Sequence, residues 1–470
     1  MIVTLDLAAQ AQWTRRHRPV AIAGSLVVLA FLFGGQSVTL TLVQSLPQLA
    51  AVLAIGWWAW STRRRAAMPG ASALLLLALV AATIVASQLI PLPYDWWTAP
   101  PDRDFAGPAI QLTGADAPWH ALSLDPSATV QSALTLLPAL AVLLIGLRLD
   151  RAALGWLVLV LLGCATLSLI LGWLQATAGI DSSLYFYGDQ HERLSLGLFS
   201  NRNHQADALC LGVLAGGAAL YRFGPRVRIL RRRLLLAAVA LTALFGLGVI
   251  STASRTGLVL FLPCAALTIA TAWHDTRVRP VSRGTWLVAG AIVTLALVAG
   301  WAGLGVVASR LHAVRDLRFT IWPDAWYLAR SVWPIGTGFG TFELTYQRVE
   351  SLAGVSPLRI NAAHNDWLQL AIEGGVVAIA GAALFLLWLG WQAVRLVRGG
   401  AGMTGWFAFA GILVLLLHSA VDYPLRTEAL STALALLCVL LNAASHPPPQ
   451  AGRHLNVQPI DLPEGVDLHV

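Results

Sequence analysis

A chain of 470 residues of which 57% are hydrophobic and only 11% charged is not a water-soluble domain, which carries about twice that charged share. The net charge of +8 comes from 31 basic residues, all of them arginine, so lysine-based covalent chemistry and a lysine-dependent P-loop are excluded. With a mean hydropathy of +0.69, the sequence reads as an all-α polytopic membrane protein.

Residues 1–18 are polar and basic, with Arg15, Arg16 and Arg18 ahead of a full-length apolar run. They predict a cytoplasmic N-terminus and a retained first anchor rather than a cleaved leader. Runs long enough to cross the hydrocarbon layer recur about twelve times, near 19–35, 38–60, 70–91, 130–147, 152–174, 204–221, 234–250, 256–273, 285–307, 372–391, 404–420 and 427–443.

Orientation follows from the arginines, because basic short loops stay cytoplasmic. Arg63 to Arg65, Arg148 and Arg151, Arg222 to Arg233, Arg277 to Arg283, and Arg395 and Arg398 mark alternate connections. Both termini are predicted inside, with the bundle over 19–443 and a flexible cytoplasmic tail over 444–470, where "SHPPPQAGRH" is rich in proline. In a bacterial cell this is the inner membrane. The regular spacing gives the positive charge a topogenic role, so no nucleic-acid partner is predicted. Cys164, Cys210, Cys264 and Cys438 each fall inside an apolar run without CxxC spacing, as buried thiols do.

The opposite face receives three longer loops, about 92–129, 175–203 and 308–363. In the first, Trp96 and Trp97 are expected in an interfacial belt. In the third, Trp322, Trp326 and Trp333 recur at roughly helical spacing, for a helix lying on the membrane surface or packed against the outer loops. Gly336, Gly338 and Gly340 follow "WP" and predict turns; no βαβ context supports a nucleotide loop.

Arg202 in "LFSNRNHQADAL", Arg255 in "ISTASRTGLV" and Arg318 in "RDLRFTIW" stand on this outer face, against the topogenic bias. A charge at the membrane edge is costly unless it meets a partner or a wet cavity. Guanidinium groups bind phosphate bidentately, so an anionic headgroup would explain arginines converging from separate loops; snorkelling or salt-bridged surface arginines are the alternative. His364 in "AHNDWLQLAIEGG" adds a group that accepts a proton near neutral pH. Asn365 or Asp366 can cap the helix that begins there, on which Asp366 and Glu373 share a face. His204 with Asp207, and His418 with Asp422, stand three and four apart; two ligands fall short of a metal site, and hydrogen bonding across the bundle is the expected use.

"GLFSNRNHQADAL" (197–209), "STASRTGLVL" (251–260), "RFTIWPDAWYLARSVWPIGTGFGTF" (318–342) and "AHNDWLQLAIEGGVVAIAG" (363–381) together resemble the O-antigen ligase and polymerase superfamily of membrane glycosyltransferases. "HSAVDYPLR" resembles a segment found downstream of that domain. The resemblance covers roughly 197–391, with 308–363 as the long periplasmic loop. It implies a helical fold of the C-type glycosyltransferase kind and a glycan donor on polyprenyl (undecaprenyl) pyrophosphate at the periplasmic face, in O-antigen, lipopolysaccharide or exopolysaccharide biosynthesis. No nucleotide sugar, cofactor or metal is implied. Arg255 and Arg318 would hold the pyrophosphate, and His364 would activate or position the acceptor hydroxyl. Arg202, Asn365 and Asp366 join the substrate-binding set. The acceptor is lipid A core, a second lipid-linked glycan or a protein, the last disfavoured by the lack of a large appended domain. The rival reading is a transporter, either a glycolipid flippase or a small-solute permease. It predicts related halves and polar broken helices near the bilayer midplane, whereas the notable polar residues here lie at the outer ends of the spans.

Overall fold

The computed structural model describes residues 7–446 apart from 37–41, 62–66, 101–102, most of 104–117, 179–181, 188–193, 224–233, 277–317, 353–358 and 400–401. The span expected at 285–307 and the tail beyond 446 lie outside the described residues. The elements are α1 (Leu7–Phe33), α2 (Ser45–Ser61), α3 (Ala71–Ser87), β1 (Pro91–Pro93), α4 (Tyr94–Thr98), β2 (Trp119–Ala121), α5 (Pro126–Thr135), α6 (Leu137–Gly146), α7 (Arg151–Ala178), α8 (Arg202–Phe223), α9 (Leu234–Ser251), α10 (Arg255–Thr276), α11 (Arg318–Ser331), α12 (Phe342–Tyr346), α13 (Asp366–Arg398), α14 (Met403–His418) and α15 (Glu428–Ser445).

Seven helical stretches among the described residues are long and apolar enough to cross a membrane, with α5 and α6 acting as one. Shorter apolar helices at His17–Phe33, Ala71–Ser87 and Met403–His418, together with α2, match further expected spans. The chain is thus a multi-pass helical membrane protein.

At the centre is α8, packed against α7, α9, α10 and α14. Small residues let these helices approach closely, as packing between membrane helices requires. A Cβ added at Gly212 would lie 2.3 Å from the Phe245 ring, and one at Gly216 would lie 2.2 Å from Leu241. The four cysteines are buried inside helices as free thiols, as the sequence predicts.

The two ends of the bundle differ in chemistry. At one end Arg222 donates to the Arg151 carbonyl (2.5 Å), Arg151 to Ala443 O (2.7 Å), Arg395 Nε to Ser445 O (3.2 Å) and Asn442 to Pro69 O (3.0 Å). The helix ends that carry Arg151, Arg222 and Arg395 therefore lie on one side of the bundle. At the other end, helices start on side-chain caps that satisfy their first free amides. Asn201 accepts from Asn203 N (2.8 Å), Ser254 from Gly257 N (3.1 Å), Asn365 from Leu368 N (3.0 Å) and Thr427 from Leu430 N (3.3 Å). Asn365, not Asp366, is thus the cap of α13.

This second end carries the loops. β1 pairs antiparallel with β2, Leu92 opposite His120, a ribbon the sequence reading does not anticipate. Trp96 is 70% exposed and fits an interfacial position, but Trp97 is 4% exposed. Its indole donates to Ala121 O at 2.7 Å and lies under the Arg103 guanidinium, so Trp97 locks the loop rather than joining a belt.

Near its start, α13 is broken. Gly375 has φ 58° and ψ −154°, a region open essentially to glycine alone, and a Cβ there would lie 2.1 Å from Pro334 O. The break removes local hydrogen bonds, and the loop after α11 replaces them, as buried backbone groups demand. Val376 N donates to Pro334 O (2.8 Å), Ile372 O accepts from Thr337 N (3.0 Å), and Glu373 O accepts from Gly338 N (2.9 Å) and Gln88 Nε2 (2.9 Å). Gly336, Gly338 and Gly340, all with positive φ, make the turns predicted for them. The Gly336 and Gly338 amides are used on Val332 O and Glu373 O, not on a ligand.

Candidate functional site

Asp422 is the hub of the capped end. It lies between α14 and α15 and is fully buried. His364 Nδ1 is 3.2 Å from its Oδ1, Asn201 Nδ2 donates to Oδ2 at 3.3 Å, Asn203 Nδ2 donates to the same oxygen, and the Arg318 guanidinium is 3.9 Å from it. Burial pushes the Asp422 carboxyl up, but the His364 hydrogen bond and the nearby imidazoles of His204, His364 and His418 outweigh it and hold the group well below the usual carboxylate range. A carboxylate here stays ionised.

That charge fixes the imidazole. With Nδ1–H given to Asp422, the His364 lone pair is on Nε2, the arrangement in which a carboxylate orients a histidine as a base. The His364 backbone is left-handed, with φ 48°, a conformation costly for a residue with a Cβ. Its neighbour Ala363 is pinned on both sides: Trp322 Nε1 donates to its carbonyl (3.0 Å), and its amide donates to Gln369 Oε1 (3.0 Å). The His364 side chain stays 28% exposed, and Tyr423 packs edge-on against it with ring centroids 4.9 Å apart.

The arginines reach this hub by different routes. Arg318 touches it directly. Ser254 donates to Asn203 Oδ1 at 2.7 Å, which ties the start of α10 to the start of α8. Arg255 follows Ser254, and Arg202 stands between Asn201 and Asn203. The starts of α8 and α10, each with an arginine in its first turn, are thus held together, and helix starts favour an anion.

Asp366 and Glu373 do share a face, and Arg426 explains why. Its guanidinium is 2.8 Å from Glu373 Oε2 and 3.4 Å from Asp366 Oδ1. Glu373 also accepts from Gln369 Nε2 (3.0 Å) and Phe342 N (3.2 Å), and Asp366 from Ser419 Oγ (2.9 Å) and Leu425 N (3.3 Å). Asp366 is therefore held in place by protein groups and braces the site. Burial-driven pairing also answers for His418 and Asp207, both fully buried, which meet at 2.6 Å between α14 and α8; His204 packs edge-on against Tyr423. No cluster of three or more His, Cys, Asp or Glu among the described residues could hold a metal.

A cavity of about 620 Å³ lies on the other side of Tyr423 and Asp366. Apolar residues of α3 and α13 line it together with the polar Gln48, Glu373, Arg426 and Glu428.

Sequence reasoning placed His364, Asn365, Arg318, Arg255 and Arg202 at one face but missed Asp422, Tyr423 and Arg426 as parts of the site. The available signal was "DYPLR", two opposite charges and an aromatic in the six-residue gap between the apolar runs at 404–420 and 427–443.

Residues 238–383 match the family model described as O-antigen ligase. The match holds Arg255, Arg318, His364, Asn365 and Asp366, and it begins after "GLFSNRNHQADAL", which the resemblance had included. No curated protein matches the chain.

Proposed function

We propose that this chain, which belongs to the O-antigen ligase and polymerase superfamily and is a membrane enzyme of that type, transfers or polymerises a glycan from polyprenyl pyrophosphate at the periplasmic face. The observation that carries this reading is the buried Asp422 carboxylate holding His364 by Nδ1 while standing 3.9 Å from Arg318. One group thereby sets a base beside a phosphate ligand.

In the reaction, an acceptor hydroxyl attacks the anomeric carbon, the C–O bond to the pyrophosphate breaks, and the hydroxyl proton passes to His364 Nε2. Arg318, Arg255 and Arg202, backed by the starts of α8 and α10, hold the pyrophosphate and stabilise the charge that develops on it as it leaves. Asp422 keeps the imidazole in the accepting tautomer and stabilises the imidazolium. Asn365 and Asp366 bind indirectly, by fixing the helix start that aims His364. Such a clamp lowers the leaving-group barrier without a metal.

A transporter would need its polar groups near the middle of the membrane. Here they gather at helix starts on one end. The test is a transfer assay with purified protein and a polyprenyl-pyrophosphate glycan, comparing wild type with Arg255→Ala and His364→Ala. Loss of transfer in both variants, with normal folding, is expected; full activity in both overturns the site. Reporter fusions within 318–352 test the face, and a cytoplasmic signal there rejects the periplasmic mechanism.

A further inference from the structure

Trp322 serves the candidate site through its bond to Ala363 O; the other aromatic residues of α11 and the turn after it point away. At about 100° per residue, Ile321, Ala325, Leu328 and Val332 share one face of α11, and all four are buried against the outer loop and the start of α13. Trp326, Tyr327 and Arg330 fall on the opposite face. The Trp326 and Tyr327 residues are 60% and 64% exposed, and Arg330 is exposed beside them.

A helix that packs one face on a core and turns the other to water carries polar and charged residues on its free side. Here the free side carries rings, with Arg330 its charge. The acid of this helix, Asp324, instead turns to the loop and accepts from Ser351 N at 2.9 Å. An aromatic face with one cation suits the layer between water and hydrocarbon, where Trp and Tyr rings settle and an arginine reaches lipid phosphate.

What lies next to this face identifies its partner. Exposed Trp333 and Ile335 follow the last turn of α11, and between them Pro334 O accepts from Val376 N at 2.8 Å. Val376 and Val377 are themselves exposed, on the first turn of α13 beyond the break, in a stretch apolar enough to cross the membrane. The aromatic face of α11 therefore runs directly onto a surface that meets lipid.

We infer that the outward face of α11 docks in the headgroup layer of the bilayer, with Trp326, Tyr327 and Trp333 at its boundary with the acyl chains and Arg330 on lipid phosphates. The helix begins at Arg318, which stands 3.9 Å from Asp422. Taken with the transfer reading, on which this step alone rests, docking sets the depth at which Arg318 meets a lipid-borne pyrophosphate.

The test places a nitroxide label on Trp326→Cys, Tyr327→Cys or Arg330→Cys, one at a time, in the full chain in phospholipid nanodiscs; the four native cysteines are buried, and the signal of the unsubstituted chain is subtracted. Oxygen, which concentrates in lipid, should relax all three labels more than a water-soluble nickel chelate does, as at the lipid reference Val377→Cys. Labels relaxed mainly by nickel overturn the docking, as do labels shielded from both reagents, which indicate a protein partner, and labels immobilised only when a soluble glycan is added, which indicate a sugar platform. Trp326→Ser combined with Tyr327→Ser should slow transfer from a long-chain polyprenyl donor in the bilayer by about tenfold and leave transfer from a short-chain, water-dispersed donor unchanged. Lipid-docked labels with equal effects on both donors would refute the depth role alone, and lipid-docked labels on a chain that transfers no glycan would refute the transfer reading alone.

Discussion

Asp422 and His364, 58 residues apart in the chain, meet at 3.2 Å between Oδ1 and Nδ1, and the same carboxylate group stands 3.9 Å from Arg318. A buried anion thus links the proposed base to a proposed phosphate ligand.

Replacing His364 by alanine removes the proton acceptor and leaves the arginines in place. Transfer should fall by about 10²–10⁴-fold, the usual worth of general base catalysis, with little change in donor affinity. Single-turnover rates at saturating donor, alongside donor binding, separate the two effects.

Asp422 also predicts a pH dependence of stability. Its folded pKa lies below the unfolded value of about 3.9, so its stabilising contribution is complete above that pH and is lost as pH falls through the unfolded value toward the folded one. Thermal unfolding followed from neutral pH down to about 3 should show an acid limb that Asp422→Asn flattens.

Arg426→Met would leave Glu373, fully buried, and Asp366 without their cation. Breaking a buried pair in this way costs about 3–5 kcal/mol, and the start of α13 should loosen. Adding Glu373→Gln to Arg426→Met should recover part of the loss, because the stranded charge is gone. Thermal midpoints of the single and double variants measure this.

Gly375→Ala forces a side chain into a positive-φ position and toward Pro334 O. Backbone strain alone is worth about 1–3 kcal/mol, and the loop at 334–342 should detach from α13. Limited proteolysis within that loop should accelerate, while a control at Gly390, where an added Cβ meets nothing within 4 Å, should behave as wild type.

Much of the bundle was legible because membrane spans are written in hydropathy and arginine spacing, which need no tertiary information. The positions of Arg202, Arg255 and His364 were legible for the same reason: a polar residue at the end of an apolar run announces itself. The break at Gly375 was not, since "EGG" reads as helix until the carbonyl of Pro334 is known to occupy the space of a Cβ. Nor was Trp97, adjacent to the exposed Trp96 in "YDWWT" and distinguished from it only by the β1–β2 ribbon it packs on. Asp422 looked like a partner for His418 at helical spacing; Asp207, from a helix far away in sequence, is the partner His418 takes, and that leaves Asp422 to His364. Long-range pairing of this kind has no local signature.

The most direct measurement of the central claim is a double-mutant comparison in the purified transfer assay, using His364→Ala, Asp422→Ala and the two combined. If Asp422 acts by orienting His364, the combined variant should be no slower than His364→Ala alone, because residues that act as a unit are not additive. Defects that multiply, with the double variant slower by the product of the single losses, would contradict it.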